Sequence, residues 1–135
     1  MDVEPDQPSL ERDVLSKSVI CVVDDDEEVR ESIGAFFRSA GIYIKKFNAA
    51  DALLSWPALE TMRCLITDLH MPGMSGLDLQ LALKRSGRNV PVILMTAYPT
   101  EEARERAAGL DISFFVTKPT DPETLLGHVE TLLEG

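Results

Sequence analysis

Apolar and polar positions along this chain follow two different rhythms, and the switches between them predict its elements. Val19–Val23 is an unbroken, mostly β-branched apolar run, which predicts a short strand covered on both faces. From Glu27 to Ala40 the apolar residues Val29, Ile33, Phe36 and Phe37 recur at helical spacing until Gly41 stops them. Ile42–Phe47 predicts a second strand, after which Asn48 is expected to cap a short helix through about Leu54, with Pro57 beyond it. Cys64–Thr67 predicts strand three, ending at Asp68, and Ser75 to about Arg85 a helix. Val90–Met95 predicts strand four, ending at Thr96, and Thr100 to Ala108 a helix. Ile112–Val116 predicts strand five, ending at Thr117-Lys118-Pro119. Asp121 then caps a last helix that starts at Pro122 and buries Leu125, Leu126, Val129, Leu132 and Leu133. Five strand–helix alternations predict an α/β domain: a doubly wound parallel sheet with helices on both faces.

Composition narrows this picture. The chain has 135 residues, is 44% hydrophobic and 27% charged, and so suits one domain with one core. Its net charge of −10 argues against generic binding to nucleic acid or to an anionic membrane, and is compatible with a cation or a basic partner. No apolar run is long enough to span a bilayer, and the N-terminus lacks the basic-then-apolar pattern of a secretory signal. Cys21 and Cys64 both lie in strand-like runs and read as buried, reduced thiols, which fits a cytoplasmic location. Residues 1–17 carry Pro5, Pro8 and five acids with few apolar residues, so they read as a disordered acidic leader, and 18–135 as the folded domain. The leader's start at Met1 is read as a natural N-terminus.

Candidate chemistry emerges when only the strand ends are compared. Strand one delivers Asp24, Asp25 and Asp26, strand three Asp68, strand four Thr96 and strand five Lys118. In open α/β sheets, sites form beyond the carboxyl ends of strands. Each of these residues has an ordinary structural explanation alone, as a cap, a turn or a solvated charge. Together they suit transfer of a phosphoryl group to a carboxylate. Asp24, Asp25 and Asp68 can hold Mg²⁺, a hard cation that takes carboxylates with water and phosphate oxygens. Lys118 offers a fixed positive charge and Thr96 a short hydroxyl donor for the phosphoryl oxygens. The Lys118-Pro119 bond can be cis.

These residues sit in runs that resemble the receiver domain of two-component response regulators. They are Val22-Val23-Asp24-Asp25, Asp68-Leu69-His70-Met71-Pro72-Gly73-Met74-Ser75-Gly76, Met95-Thr96-Ala97 and Phe115-Val116-Thr117-Lys118-Pro119. The resemblance covers about Ser18 to Glu134, and the Asp68–Gly76 segment is most like receivers of the nitrogen-fixation regulator type, usually joined to a DNA-binding domain. It implies a flavodoxin-like sheet in the order 2-1-3-4-5. It further implies a Mg²⁺-dependent transfer to Asp68, the phosphoacceptor, from a sensor histidine kinase or a small phosphodonor. Asp25 would be the direct acidic metal ligand, Asp24 would support it through water, the backbone carbonyl of His70 would complete the shell, and Asp26 would be flanking charge. Thr96 and Ala97, with Lys118, would bind the phosphoryl group, and Phe115 would be the aromatic that follows Thr96 in the switch. The domain would be a phosphoacceptor signalling module and not an enzyme, handing its signal to a downstream protein or effector domain, with a phosphorylation-dependent dimer as one output.

Departures from the family pattern sharpen these expectations. His70 and Tyr98 each stand two residues beyond a site residue, and their bulk is expected to tune the phosphoryl lifetime by limiting water access. Phe115 lacks the hydroxyl of the tyrosine often found there, and Thr120 replaces a common phenylalanine. The helix at 100–108 has few apolar anchors, only Ala103 and Ala107 amid charge, so it is expected to be a mobile switch element. Two alternatives remain. Because the last helix ends near Gly135, the chain is either a stand-alone receiver or a receiver fragment of a larger DNA-binding transcriptional regulator. More remotely, Asp24-x-Asp26 resembles the start of haloacid-dehalogenase-like phosphatases, in which Asp24 would be the nucleophile.

Overall fold

In a computed structural model, which describes residues 19–134, the chain forms five strands and five α-helices in strict alternation. The elements are β1 (Val19–Val23), α1 (Glu27–Ser39), β2 (Ile44–Phe47), α2 (Ala50–Leu54), β3 (Met62–Asp68), α3 (Gly76–Arg85), β4 (Val92–Thr96), α4 (Glu101–Gly109), β5 (Phe114–Thr117) and α5 (Pro122–Glu134), with a 3-10 turn at Leu59–Thr61 before β3. The leader expected over residues 1–17 lies outside the described residues.

All strand pairs are parallel, and their order is β2-β1-β3-β4-β5, as the family resemblance implies. Parallel strands need crossovers, and each crossover here is a helix that must cover one sheet face. The apolar runs of β1, β3 and β4 therefore feed two cores. On one face Ile20, Val22, Cys64, Ile66, Ile93 and Met95 pack under α1 and α5 through Ile33, Phe37, Leu125 and Val129. On the other, Cys21, Val23, Leu65 and Val92 pack under α2 and α3 through Ala50, Leu53, Leu79 and Leu83. A smaller patch of Leu69, Leu77 and Leu94 lies beneath α4, which contributes only Ala103 and Ala107.

Register levels the strand ends. Val23 pairs with Thr67, Thr67 with Leu94, and Leu94 with Phe115, so the residues that follow emerge along one edge. Asp24 is tied there by its own N–H, which donates to the Phe47 carbonyl at 3.2 Å.

Several expected boundaries move. β2 begins at Ile44, not Ile42, and β5 spans Phe114–Thr117, not 112–116. Both shifts have one cause. The Ile42 N–H closes α1 by bonding the Phe37 carbonyl at 2.9 Å, and the Ile112 N–H closes α4 by bonding the Ala107 carbonyl at 3.1 Å. Each isoleucine is thus the residue that completes a helix C-terminus after a left-handed position, Gly41 (φ 82) in one case and Asp111 (φ 60) in the other. β3 starts two residues early, at Met62, and β4 starts two residues late, at Val92, after Pro91, which has no N–H for a ladder. Asn48 does not cap α2: the capping position is Ala49, with no side-chain bond. The expected cap at Asp121 holds, accepting the Glu123 N–H at 3.4 Å, whereas Ser75 and Thr100, expected as first helical residues, stand just before α3 and α4 as their caps, accepting the Asp78 and Ala103 N–H groups.

Candidate functional site

Three carboxylates meet where β1 and β3 end. One oxygen each from Asp24, Asp25 and Asp68 lies within 4.8 Å of the others. Asp24 is fully buried and Asp68 nearly so, at 5% exposure, while Asp25 faces solvent. Like charges this close repel strongly, and one cation already answers them. The Lys118 ammonium, delivered by the turn after β5, stands 2.8 Å from Asp24 Oδ2 and 3.3 Å from Asp68 Oδ1. Its backbone is pinned as well, its N–H donating to the Thr96 carbonyl at 2.8 Å, and the Lys118-Pro119 bond that follows is cis.

Burial and the neighbouring Asp24 charge push the Asp68 carboxyl above its ordinary pKa; Lys118 opposes this and Asp25 adds to it. Burial by itself would lower the Lys118 pKa, but the contact with and charge of Asp24, joined by Asp68, outweigh it and leave the ammonium above its usual value. Lys118 therefore stays charged at neutral pH.

The donor set suits a hard divalent cation. Asp24 Oδ1 accepts the Asp26 N–H at 2.9 Å, but the fully enclosed Oδ2 receives no aligned hydrogen bond despite its ion pair. Three carboxylates this close, with Lys118 facing two of them, form a donor set that suits a hard cation such as Mg²⁺.

The remaining candidates divide into those at the edge and those beside it. Thr96 is fully buried, and its hydroxyl oxygen accepts the Tyr98 N–H at 2.9 Å. Ala97 is exposed and lines a cleft of about 620 Å³ with Lys118, Pro119, Thr120, Met95, Val29 and Ile33. His70 and Tyr98 are both exposed, and their rings meet edge to face with centroids 6.1 Å apart, bridging the β3–α3 and β4–α4 loops. Phe115 is half-buried on the Leu69–Leu77–Leu94 patch, with the Arg104 guanidinium 4.8 Å over its ring. Asp26 is not part of the cluster: it caps α1, accepting the Glu28 N–H at 2.9 Å and the Val29 N–H at 3.4 Å.

Two contributors escaped the sequence reading. Arg30 reaches back from α1 and donates through Nη1 to the Asp24 carbonyl at 2.7 Å. Gly76 opens α3 so close to β3 that any Cβ would collide with the Asp68 carbonyl and approach Leu94 Cδ1 to 2.9 Å. The Gly76 signal was present in the Asp68–Gly76 motif, but only the packing shows why a side chain is excluded. Arg30 had no signal beyond its place on the second turn of α1.

Comparison with known proteins agrees with this geometry. The family described as "Response regulator receiver domain" matches residues 20–130. The chain belongs to the receiver-domain family of two-component response regulators. It is 38% identical over 121 residues to the response regulator protein TmoT of Ectopseudomonas mendocina, covering 87% of this chain and 54% of that protein. It is 33% identical over 112 residues to the transcriptional regulatory protein FixJ of Azorhizobium caulinodans, covering 83% of this chain and 53% of that one. Among solved structures, the response regulator StyR superposes with a TM-score of 0.80 at 35% identity, covering 87% of this chain and 60% of that one. The chain spans about half the length of the curated relatives it matches. Among the described residues, no helix is long and apolar enough to cross a membrane.

Proposed function

We propose that Asp68 is the phosphoacceptor of this receiver and that Asp24, Asp25 and Lys118 make its carboxylate able to react. The observation that carries this is the Lys118 ammonium held between Asp24 and Asp68 at the end of a parallel sheet. An Asp68 oxygen attacks the phosphorus of a phosphohistidine or phosphoramidate. The new O–P bond forms as the P–N bond breaks, and the leaving nitrogen takes up a proton. The ammonium faces the charge that gathers on the phosphoryl oxygens, which is the usual largest source of stabilisation in such a transfer. Mg²⁺ held by Asp24, Asp25 and Asp68, with the His70 carbonyl as a further donor, would neutralise the remaining charge. Thr96 would donate its hydroxyl proton, which its acceptance of the Tyr98 N–H leaves free, to a phosphoryl oxygen. The His70–Tyr98 ring pair is read as a partial cover that slows water attack on the acyl phosphate.

A phosphatase of the haloacid-dehalogenase kind would make Asp24 the nucleophile, and the family match to the receiver domain over residues 20–130 speaks for Asp68 instead. The input partner in this reading is a sensor histidine kinase, and the site works in the cytoplasm. The output is a surface read by a further domain or protein, with dimerisation as one form of it. That the relatives matched over half their length include a transcriptional regulatory protein supports an effector domain as the reader. Incubation with a phosphoramidate and Mg²⁺ tests the core of the proposal. A phosphorylated species is expected on a phosphate-retarding gel, lost in Asp68→Asn and on chelation; a species of undiminished yield in Asp68→Asn overturns it.

A further inference from the structure

The acidic loop between β1 and α1 is held partly by bonds from residues outside the carboxylate cluster. β1 ends at Val23 and α1 begins at Glu27, so only three residues turn the chain. Every polar group of Asp24 but one is engaged in that turn. Its N–H donates to the Phe47 carbonyl at 3.2 Å, its Oδ1 accepts the Asp26 N–H at 2.9 Å, and its carbonyl accepts Arg30 Nη1 at 2.7 Å. Oδ2 lies outside that turn, 2.8 Å from the Lys118 ammonium, and one oxygen each from Asp24, Asp25 and Asp68 lies within 4.8 Å of the others.

We infer that Arg30 is a positioning residue for this loop, setting the affinity of the acid cluster for a divalent cation. The inference rests on the functional reading above. Side chains of a helix point back toward its N-terminus, so a residue on the second turn of α1 can reach the strand-to-helix turn. The span from Arg30 to Asp24 is six residues, and a guanidinium on a long stem closes it. The carbonyl it grips sits where the chain leaves the sheet. Without that bond the peptide between Asp24 and Asp25 loses the tie on its carbonyl side, and the exposed Asp25 carboxylate is the group most able to shift with it. The fixed positive charge also lowers the cost of gathering three carboxylates, but the geometry of the bond, partly buried and short, makes the grip the larger effect. Arginine presents a rigid planar fork where lysine presents a hydrated point charge, so the two roles separate by substitution.

The test is a Mg²⁺ titration of the full chain followed by amide NMR shifts, in wild type, Arg30→Met, Arg30→Lys and Asp25→Asn. Arg30→Met is expected to weaken Mg²⁺ about tenfold, in line with the usual cost of losing a group that orients a metal ligand. Arg30→Lys is expected to stay weakened several-fold, and both are expected to show shifted and faster-exchanging amides at Asp25 and Asp26 before any metal is added. An Arg30→Met protein with wild-type affinity and unshifted loop amides overturns the inference. So does full recovery in Arg30→Lys, which would leave charge as the whole effect. Asp25→Asn separates the two levels: if it too binds Mg²⁺ as wild type does, the cation site itself is misassigned, whereas weakened binding there with normal Arg30→Met binding removes Arg30 alone.

Discussion

The two sides of this domain are built on different principles. α1 is anchored by large apolar groups: Ile33 and Phe37 are buried, and Val29 and Phe36 pack beside them. α4 buries only the methyl groups of Ala103 and Ala107, among five charged residues. What holds α4 instead is polar and sits mostly at its C-terminal end. The buried Gln80 amide donates to the Leu110 carbonyl at 2.9 Å, and Lys84 pairs with Asp111 at 2.7 Å. Arg106 stands 3.8 Å from Asp78. Under the N-terminal end lies a cavity of about 240 Å³ lined by His70, Ser75, Thr100 and Ala103. Segments with few buried apolar contacts open at low free energy. The site edge, set by buried strands, is therefore the fixed part, and α4 is the part that can respond to it.

Truncation should expose this contrast first. Phe37→Ala is expected to cost about 3–5 kcal/mol, against about 1 kcal/mol for Ala103→Gly, both read from urea unfolding midpoints. Equal losses would erase the distinction. On the site side, Lys118→Met should lower the phosphorylation rate by about 10²-fold, measured with a small phosphodonor at saturating Mg²⁺, with little change in the exchange protection of α1. Next in size is the response of α4. A beryllofluoride mimic should alter amide hydrogen exchange across residues 97–112 and leave 27–39 nearly as it was. No change across 97–112 would show that α4 is an ordinary exposed helix.

The cysteines report on the rigid side through pH. Burial pushes the thiols of Cys21 and Cys64 up to about 12 from 9.0. As pH rises past 9.0, thiols of the unfolded chain ionise while those in the fold keep their protons, so stability should fall between pH 9 and 12. Native protein at pH 8 should resist a thiol reagent that labels both positions in denaturant. Smallest of all, Lys84→Ala should cost about 0–1 kcal/mol, because its pair with Asp111 is exposed.

Which features the sequence revealed follows from where the physics is local. The apolar runs of β1, β3 and β4 and the acids and lysine at the strand ends were legible, because a buried parallel strand and its terminal polar residue leave a mark within a few positions. Ile42 and Ile112 misled for the opposite reason: each is apolar and buried or half-buried, yet its N–H completes a helix end, a bond to a residue five positions back. The end of α4 was legible to within a residue, but the left-handed Asp111 takes the place a glycine usually fills, so nothing separated Ile112 from the strand that follows. Gly76 and Arg30 act across the site, from α3 onto β3 and from α1 onto the β1 loop, and such contacts have no pattern to read until the elements are placed.

The central claim is that one carboxylate among three carries the phosphoryl group. It is tested most directly by phosphorylating the protein in Mg²⁺, reducing the acyl phosphate with borohydride and locating the resulting homoserine by peptide mass spectrometry. The account predicts homoserine at position 68 and none at 24 or 25. Homoserine at position 24, or a protein that takes up phosphoryl without any at 68, would contradict it.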